Sequence, residues 1–383
     1  DGNSVGLQEY NWPDTNGFDG AYHTRSVNKT APSGYIHFKD LTGSGDGGSS
    51  TNPLADGKFV SYHGAVYKIA GGAPLYVSGQ DAPYLPEWAT ATAVSDTQWA
   101  SLRLFPADGT YLSDVQTGAV YVTAGGTPMY ISGEDAPFLL NWANAMRVPH
   151  WDFVSWQHLR NYPADGHYVS DVQTGAVYNT AGGAPFYISG QDAATLPHWQ
   201  YATRIPHWEF VHHQHLRTIP ADGAYISDVQ TGAVYVTLGG APMYISGSDA
   251  PFLPNWAGAT RVSHWEFENW SHLRQYPADG YYLRDIQNGA VYVTAGGAPL
   301  YVSAEHTAWL PQWQYASPVP HGELQNWAHL RQLPADNTYV RGVMSEKVFQ
   351  VIGGTAHHIT TNPLPVATTV DDWAIVNQLG GTL

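Results

Sequence analysis

At 383 residues, with 43% hydrophobic, 13% aromatic and only 13% charged side chains, the chain can bury several cores or one core spread over many units, and it carries about half the ordinary share of charge. Lys plus Arg number 16 against 32 Asp plus Glu, a formal net charge of -16 with no basic block, so most of the surface would repel a phosphate backbone and nucleic acid is not an expected partner. There is no Cys, which removes thiolate catalysis, Cys-type zinc sites and disulfides, and no apolar run reaches the roughly 18 residues of a membrane-spanning helix.

Residues 1–53 follow no repeat and read as an irregular N-terminal extension. Gly, Asn, Asp, Ser and Thr dominate, with scattered aromatics at Tyr10, Trp12, Phe18, Tyr22, Tyr35 and Phe38. Residues 34–41 have the composition of a weakly patterned strand, and residues 43–50 that of a mobile glycine-serine loop. The opening Asp1-Gly2-Asn3 reads as a processed or trimmed end. Low Lys with abundant Trp, Tyr, Asn and Thr leads us to expect a secreted or cell-surface protein.

Residues 54–383 are built from one recurring unit. An Ala-Asp-Gly or Ala-Asp-Asn turn recurs at Asp56, Asp108, Asp165, Asp222, Asp279 and Asp336, at intervals of 52, 57, 57, 57 and 57 residues. Six copies at a near-fixed period mean a supersecondary unit that hides its apolar surface against its neighbours, in a ring or an open stack.

Within a copy, three strands are readable over residues 110–114, 118–123 and 128–132. They are short, rich in β-branched and aromatic residues, and separated by Thr117-Gly118 and Gly125-Gly126, the signature of an antiparallel meander. The second half is richer in Trp. Residues 135–142 read as a loop with an apolar anchor and a recurring Trp; His150-Trp151-Asp152-Phe153 has room for one helical turn, and residues 157–162 for a fourth strand.

The expected fold is all-β: six tandem units of about 57 residues in a six-bladed propeller-like or pinwheel ring. Closure is suggested by the ends. Residues 369–377 align with residues 261–269 but stop short of a full copy, while the first copy lacks a Trp-rich half ahead of it, so the last segment would complete the first blade by lying against residues 54–80.

The motifs Asp108-Gly109-Thr110-Tyr111, Thr117-Gly118-Ala119-Val120-Tyr121 and Gly125-Gly126-Thr127-Pro128-Met129-Tyr130-Ile131-Ser132 resemble a tandem repeat of exported, wall-associated proteins of actinobacteria and related bacteria. The resemblance covers roughly residues 54–380 and implies an accessory wall-associated or sugar-binding module, without an active site to carry over. Where such repeats tend to have Val-Asp, this chain has His-Trp-Glu-Phe; only Val370-Asp371 keeps the common form.

Near-identical copies suit repeated binding better than a single asymmetric catalytic centre. The candidate ligand-binding residues are Trp142, Trp199, Trp256 and Trp313, then Trp151, Trp208 and Trp265, with Asp135, Asp192 and Asp249 in the loop after the third strand. Indole faces stack on sugar rings, and neighbouring polar groups satisfy ring hydroxyls. The competing reading packs these Trp unit against unit and uses the Asp to cap a turn. The expected partner is a glycan or polysaccharide, with a protein partner on the same aromatic surface as the alternative, in a structural or adhesive role. No cofactor, metal or catalytic residue is expected: no ligand set recurs intact around His198, His207, His212, His213 and His215. A glycan hydrolase or lyase would have to pair Glu209, Glu266 or Glu323 with a loop acid of another unit.

Overall fold

The computed structural model describes Ser4–Tyr10, Tyr22–Asn28 and residues 52–360 and 363–383. The chain divides into two compact units, Asp1–Thr51 and Asn52–Leu383. In the first, Ser4–Tyr10 pairs antiparallel with Tyr22–Asn28, from Ser4 opposite Asn28 to Tyr10 opposite Tyr22. Its β-formers, among them Val5 opposite Val27, are diluted by Gly, Gln and Asn, which is why the sequence shows no strand there. The strand expected at residues 34–41 and the loop at residues 43–50 lie outside the described residues.

Asn52–Leu383 holds six four-stranded sheets, one per repeat. In the second repeat Tyr111–Asp114, Val120–Ala124 and Thr127–Tyr130 form the expected meander, and Met146–Val148 then pairs with the first strand in parallel. All six sheets share this arrangement, with the fourth strand beside the first. A parallel neighbour cannot be reached through a hairpin and needs a crossover of a dozen or more residues. The Trp-rich half of the repeat is that crossover. It runs through two 3-10 turns, Ala136–Phe138 and Trp142–Asn144, before Met146 enters the sheet. The mixed sheet departs from an all-antiparallel propeller blade.

After the fourth strand comes a five- or six-residue helix such as Trp151–Ser155 or His207–His212, as the His-Trp-Asp/Glu-Phe motif suggests. Residues 157–162, expected as a strand, are not one. Pro163 ends the stretch, and its backbone instead docks on the glycine turn of its own repeat, with Arg160 N–H donating to Gly126 O at 2.9 Å and Ala164 N–H to Gly125 O at 3.1 Å. Gly125 has φ +57°, and a Cβ there would stand 2.9 Å from Ala164 N, so this turn cannot take a side chain.

The apolar core is distributed over the joints between repeats. Ala70, Leu75, Leu112, Val148 and Leu159 cluster across the first joint, Met129, Leu139, Val169 and Leu216 across the second, and Phe186, Ile226 and Leu273 across the third. Met243, Leu283 and Leu330 span the fourth, and Leu300, Phe349, Val370 and Ile375 the fifth. Every hydrogen bond between repeats among the described residues likewise links consecutive repeats. Residues 369–380, expected against residues 54–80, instead complete the sixth repeat and seal the fifth: Tyr301 N–H donates to Gln378 Oε1 at 2.7 Å, and Ala356 N–H in the sixth sheet to Leu379 O at 2.8 Å. At the other end the first helix, Asp96–Ala100, is capped within its own repeat by a Ser95–Gln98 capping box.

Removing residues 366–383 is therefore expected to raise amide hydrogen exchange across residues 282–358 and leave residues 59–76 unchanged. Faster exchange in residues 59–76 would mean that the C-terminal segment closes on the first repeat.

Candidate functional site

The second half of each repeat carries two rows of aromatic residues and a set of buried acids. The first row stands on the 3-10 turns of the crossover. Leu139 and Leu253, each 2% exposed, anchor these turns in the core, which leaves Trp142 and Trp256 at 41% and 40% exposed three residues later. Trp199 and Trp313 hold the same place and are partly exposed, with Trp313 leaning on the core of the fifth joint. The turns present further aromatics absent from the expected set. Tyr84, Phe138, Phe252 and Trp309 are exposed four residues ahead of Trp88, Trp142, Trp256 and Trp313, while Tyr201 and Tyr315 stand out two residues after Trp199 and Trp313 at 83% exposure each. The constant four-residue spacing was the signal that could have found the first group.

The second row opens the short helices. Trp151, Trp208 and Trp265 are partly exposed, and each sets its indole edge-on to a Tyr of the preceding repeat's third strand: Tyr76 at 6.1 Å, Tyr130 at 5.1 Å and Tyr187 at 5.1 Å between ring centroids. One edge of each indole thus serves the joint. Behind them Tyr121 and Tyr235 stack at a tilt on Phe153 and Phe267, and burial pushes both phenols up to about 12.

The loop acids occupy a different environment from the surface position expected of them. Asp135 and Asp249 are fully buried and Asp192 nearly so. Asp135 accepts from Ser132 Oγ at 2.8 Å in its own repeat, and from Gln173 Nε2 at 2.7 Å, His207 N–H at 3.1 Å and Trp208 N–H at 3.1 Å in the next. Asp249 repeats the pattern with Gln287, His321 N–H and Gly322 N–H, and Asp192 with Gln230, Ser263 Oγ and Trp265 N–H. The reason is electrostatic: the first N–H groups of a helix have no partner within it, and a carboxylate from the neighbouring repeat satisfies them. Burial pushes the Asp192 and Asp249 carboxyls up, but the hydrogen bonds outweigh it and hold both below the ordinary range. These acids fix the crossover that carries the first Trp row, and their oxygens are occupied.

A second acid completes each joint from the other side. Glu209, Glu266 and Glu323 are buried in the short helices, and each accepts the N–H of the last residue of the preceding third strand, Tyr130 at 2.7 Å, Tyr187 at 2.6 Å and Tyr244 at 2.6 Å. The same oxygens lie 2.8 Å from Nδ1 of His215, His272 and His329. Thus the His of His-Leu-Arg serves the joint, and so do the acids weighed for a hydrolase. Among the described residues no three His, Asp or Glu are disposed around a metal ion. Nor, among the same residues, is any helix long and apolar enough to cross a membrane.

Compared with known proteins, the chain matches no family model, no curated protein and no solved structure. The motif's likeness to actinobacterial wall-protein repeats therefore rests on the motif residues alone.

The joint chemistry sets the pH response. His264 lies 2.7 Å from Asp228; that hydrogen bond holds the imidazole above its ordinary value, while burial pushes the Asp228 carboxyl up less than its bonds to Thr231, Gln230 N–H and His264 pull it down. A raised His contributes stability in full below its unfolded value near 6.5 and loses it as pH rises through the folded value; a depressed Asp contributes above its unfolded value near 3.8 and loses it as pH falls. His264→Gln should therefore lower Tm most below pH 6.5, with the gap to the parent protein closing as pH rises. A gap that is constant or widens with pH in a melting series would contradict this assignment.

Proposed function

We propose that this chain is a non-catalytic, multivalent carbohydrate-binding protein, secreted or displayed at the cell surface, that holds a glycan or cell-wall polysaccharide on its crossover aromatics. The observation that carries the reading is the half-exposed indole of Trp142 and Trp256, at the same place in the second and fourth repeats and four residues after an exposed Phe138 or Phe252. An indole with one apolar face in water is what a pyranose ring stacks on. Trp199 and Trp313 extend the row; Trp151, Trp208 and Trp265 contribute only their outward edges.

Asp135, Asp192 and Asp249 act here as supports of the Trp-bearing turns. The engagement of Glu209, Glu266 and Glu323 at joints favours binding over hydrolysis, because a general acid must be free to exchange its proton with substrate. Among the described residues every hydrogen bond between repeats joins consecutive repeats, and this favours an open row of the six units over the closed ring. A row suits a linear polymer: one exposed stacking site reaches about 1 mM, roughly 4 kcal/mol, and linked copies add avidity. The motif's likeness to repeats of exported actinobacterial wall proteins points the same way.

A glycan array followed by titration of the best polysaccharide tests the reading with Trp142→Ala, Trp199→Ala and Trp256→Ala, singly and combined. Progressive loss of avidity in variants that keep the parent Tm is expected. No glycan signal, or undiminished binding by the folded triple variant, would overturn it and leave a protein-binding or adhesive role in front.

A further inference from the structure

In each of the first five repeats one arginine follows the Leu of the His-Leu-Arg stretch or its counterpart, a Leu that is buried in all but the first: Arg103, Arg160, Arg217, Arg274 and Arg331. Their backbones are fixed, each N–H donating to the second Gly of the glycine turn, at 2.9 Å for Arg103 on Gly72 and 2.8 Å for Arg217 on Gly183. Their stems lie on that turn; a Cβ at Gly126 would stand 3.2 Å from Arg160 Cδ. Three guanidinium groups are stacked on an aromatic ring two residues past the preceding arginine: Arg160 on Phe105 at 4.4 Å, Arg217 on Tyr162 at 4.3 Å and Arg331 on Tyr276 at 4.3 Å.

What these heads lack, among the described residues, is a hydrogen-bonding acid. All five side chains are exposed, and among the described residues none makes a side-chain hydrogen bond or lies within 4.0 Å of a carboxylate, although the chain carries twice as many acids as bases. Every ion pair found among the described residues instead joins a His to an acid. Between two arginines of the row lies a cleft of about 280 Å³, lined by Arg103, Phe105, Asp108, Gly126, Arg160 and His167. Its one acid, Asp108, accepts from Gly125 N–H at 2.8 Å and lies 3.1 Å from His167 Nδ1; burial pushes its carboxyl up, and the Arg103 charge adds to the downward pull of these partners without an ion pair within 4.0 Å. The volume falls just under the roughly 300–1,000 Å³ of small-molecule sites, room for one small ring and not an oligomer.

We propose that this row is a second binding surface, on which the guanidinium groups fork the carboxylates of a uronate-type acidic polysaccharide, with one acidic sugar in the cleft between Arg103 and Arg160. It rests on the glycan reading for the class of polymer but on a different set of residues. A stacked guanidinium keeps its N–H edge free and planar, the geometry that grips a carboxylate in bidentate fashion. The occupant carries one carboxylate per sugar ring, well below the one charge per about 1.7 Å of duplex DNA that a net charge of -16 opposes, and single carboxylates can be met one arginine at a time.

The test is titration with polygalacturonate, its methyl ester and duplex DNA, alongside the neutral polysaccharide chosen from the array. The variants are Arg103→Met with Arg160→Met, which keep the apolar stems on the glycine turns, and Trp142→Ala with Trp256→Ala. The expected result is salt-sensitive binding of polygalacturonate that weakens about tenfold or more in the arginine variant, is lost on esterification, and leaves neutral-polymer binding and Tm unchanged. Failure to bind polygalacturonate, or binding that survives the arginine changes and falls only with the Trp changes, would overturn the proposal while leaving the glycan reading intact. Equal arginine-dependent binding of DNA would overturn it too, as unselective charge attraction. Loss of neutral-polymer binding alone, with polygalacturonate retained by the parent protein, would count against the aromatic row and support this one.

Discussion

A carboxylate that leaves its own repeat to satisfy the backbone of the next is the constraint on which the rest of the structure depends. Asp135 caps the helix beginning at His207, and Glu209 in that helix reaches back to Tyr130 N–H, so two buried acids close one joint in opposite directions. Each bond to a charged acceptor is worth about 1.5–3 kcal/mol, and leaving either partner buried and unpaired would cost more. The pattern survives changes of residue. At the fifth joint the loop position is His306 instead of Asp, and the acid moves to Asp371, whose oxygens meet His306 Nδ1 at 2.5 Å and Ser303 Oγ at 2.7 Å; Gln378 takes the place of the Glu on Tyr301 N–H. The interaction is kept although the residues trade places.

This arrangement explains a composition that is odd for a surface-rich repeat protein. Many of the acids that outnumber bases two to one are spent on backbone N–H groups and imidazoles inside the repeats and their joints, and among the described residues the glycine-turn arginines have no acid within 4.0 Å. The aromatic surplus divides the same way: Trp151, Trp208 and Trp265 turn an edge to the joint, while Trp142 and Trp256 are lifted into solvent by the short turns that the parallel fourth strand requires. Presentation of these rings is thus a by-product of the crossover, and repetition multiplies it.

Repeat number, period and the three-strand meander were legible because turn glycines and alternating β-formers report on local backbone. The parallel fourth strand was not, since Met146–Val148 is three residues long and its pairing with Leu112–Asp114 is settled by a crossover that no local pattern encodes. The fate of the loop acids was hidden for a related reason. Asp-Ala-Pro reads as a surface turn, and only the arrival of the next repeat's helix, 72 residues away for His207 on Asp135, buries it.

The most direct test of the joint as the organising interaction is native-state hydrogen exchange on Asp192→Ala, which removes one carboxylate between the third and fourth repeats. Protection should fall in residues 168–205 and 225–265 and hold in the first and sixth repeats, because a row of units coupled only to their neighbours confines the defect. Uniform loss of protection along the chain, or none at the Trp265 amide, would contradict it.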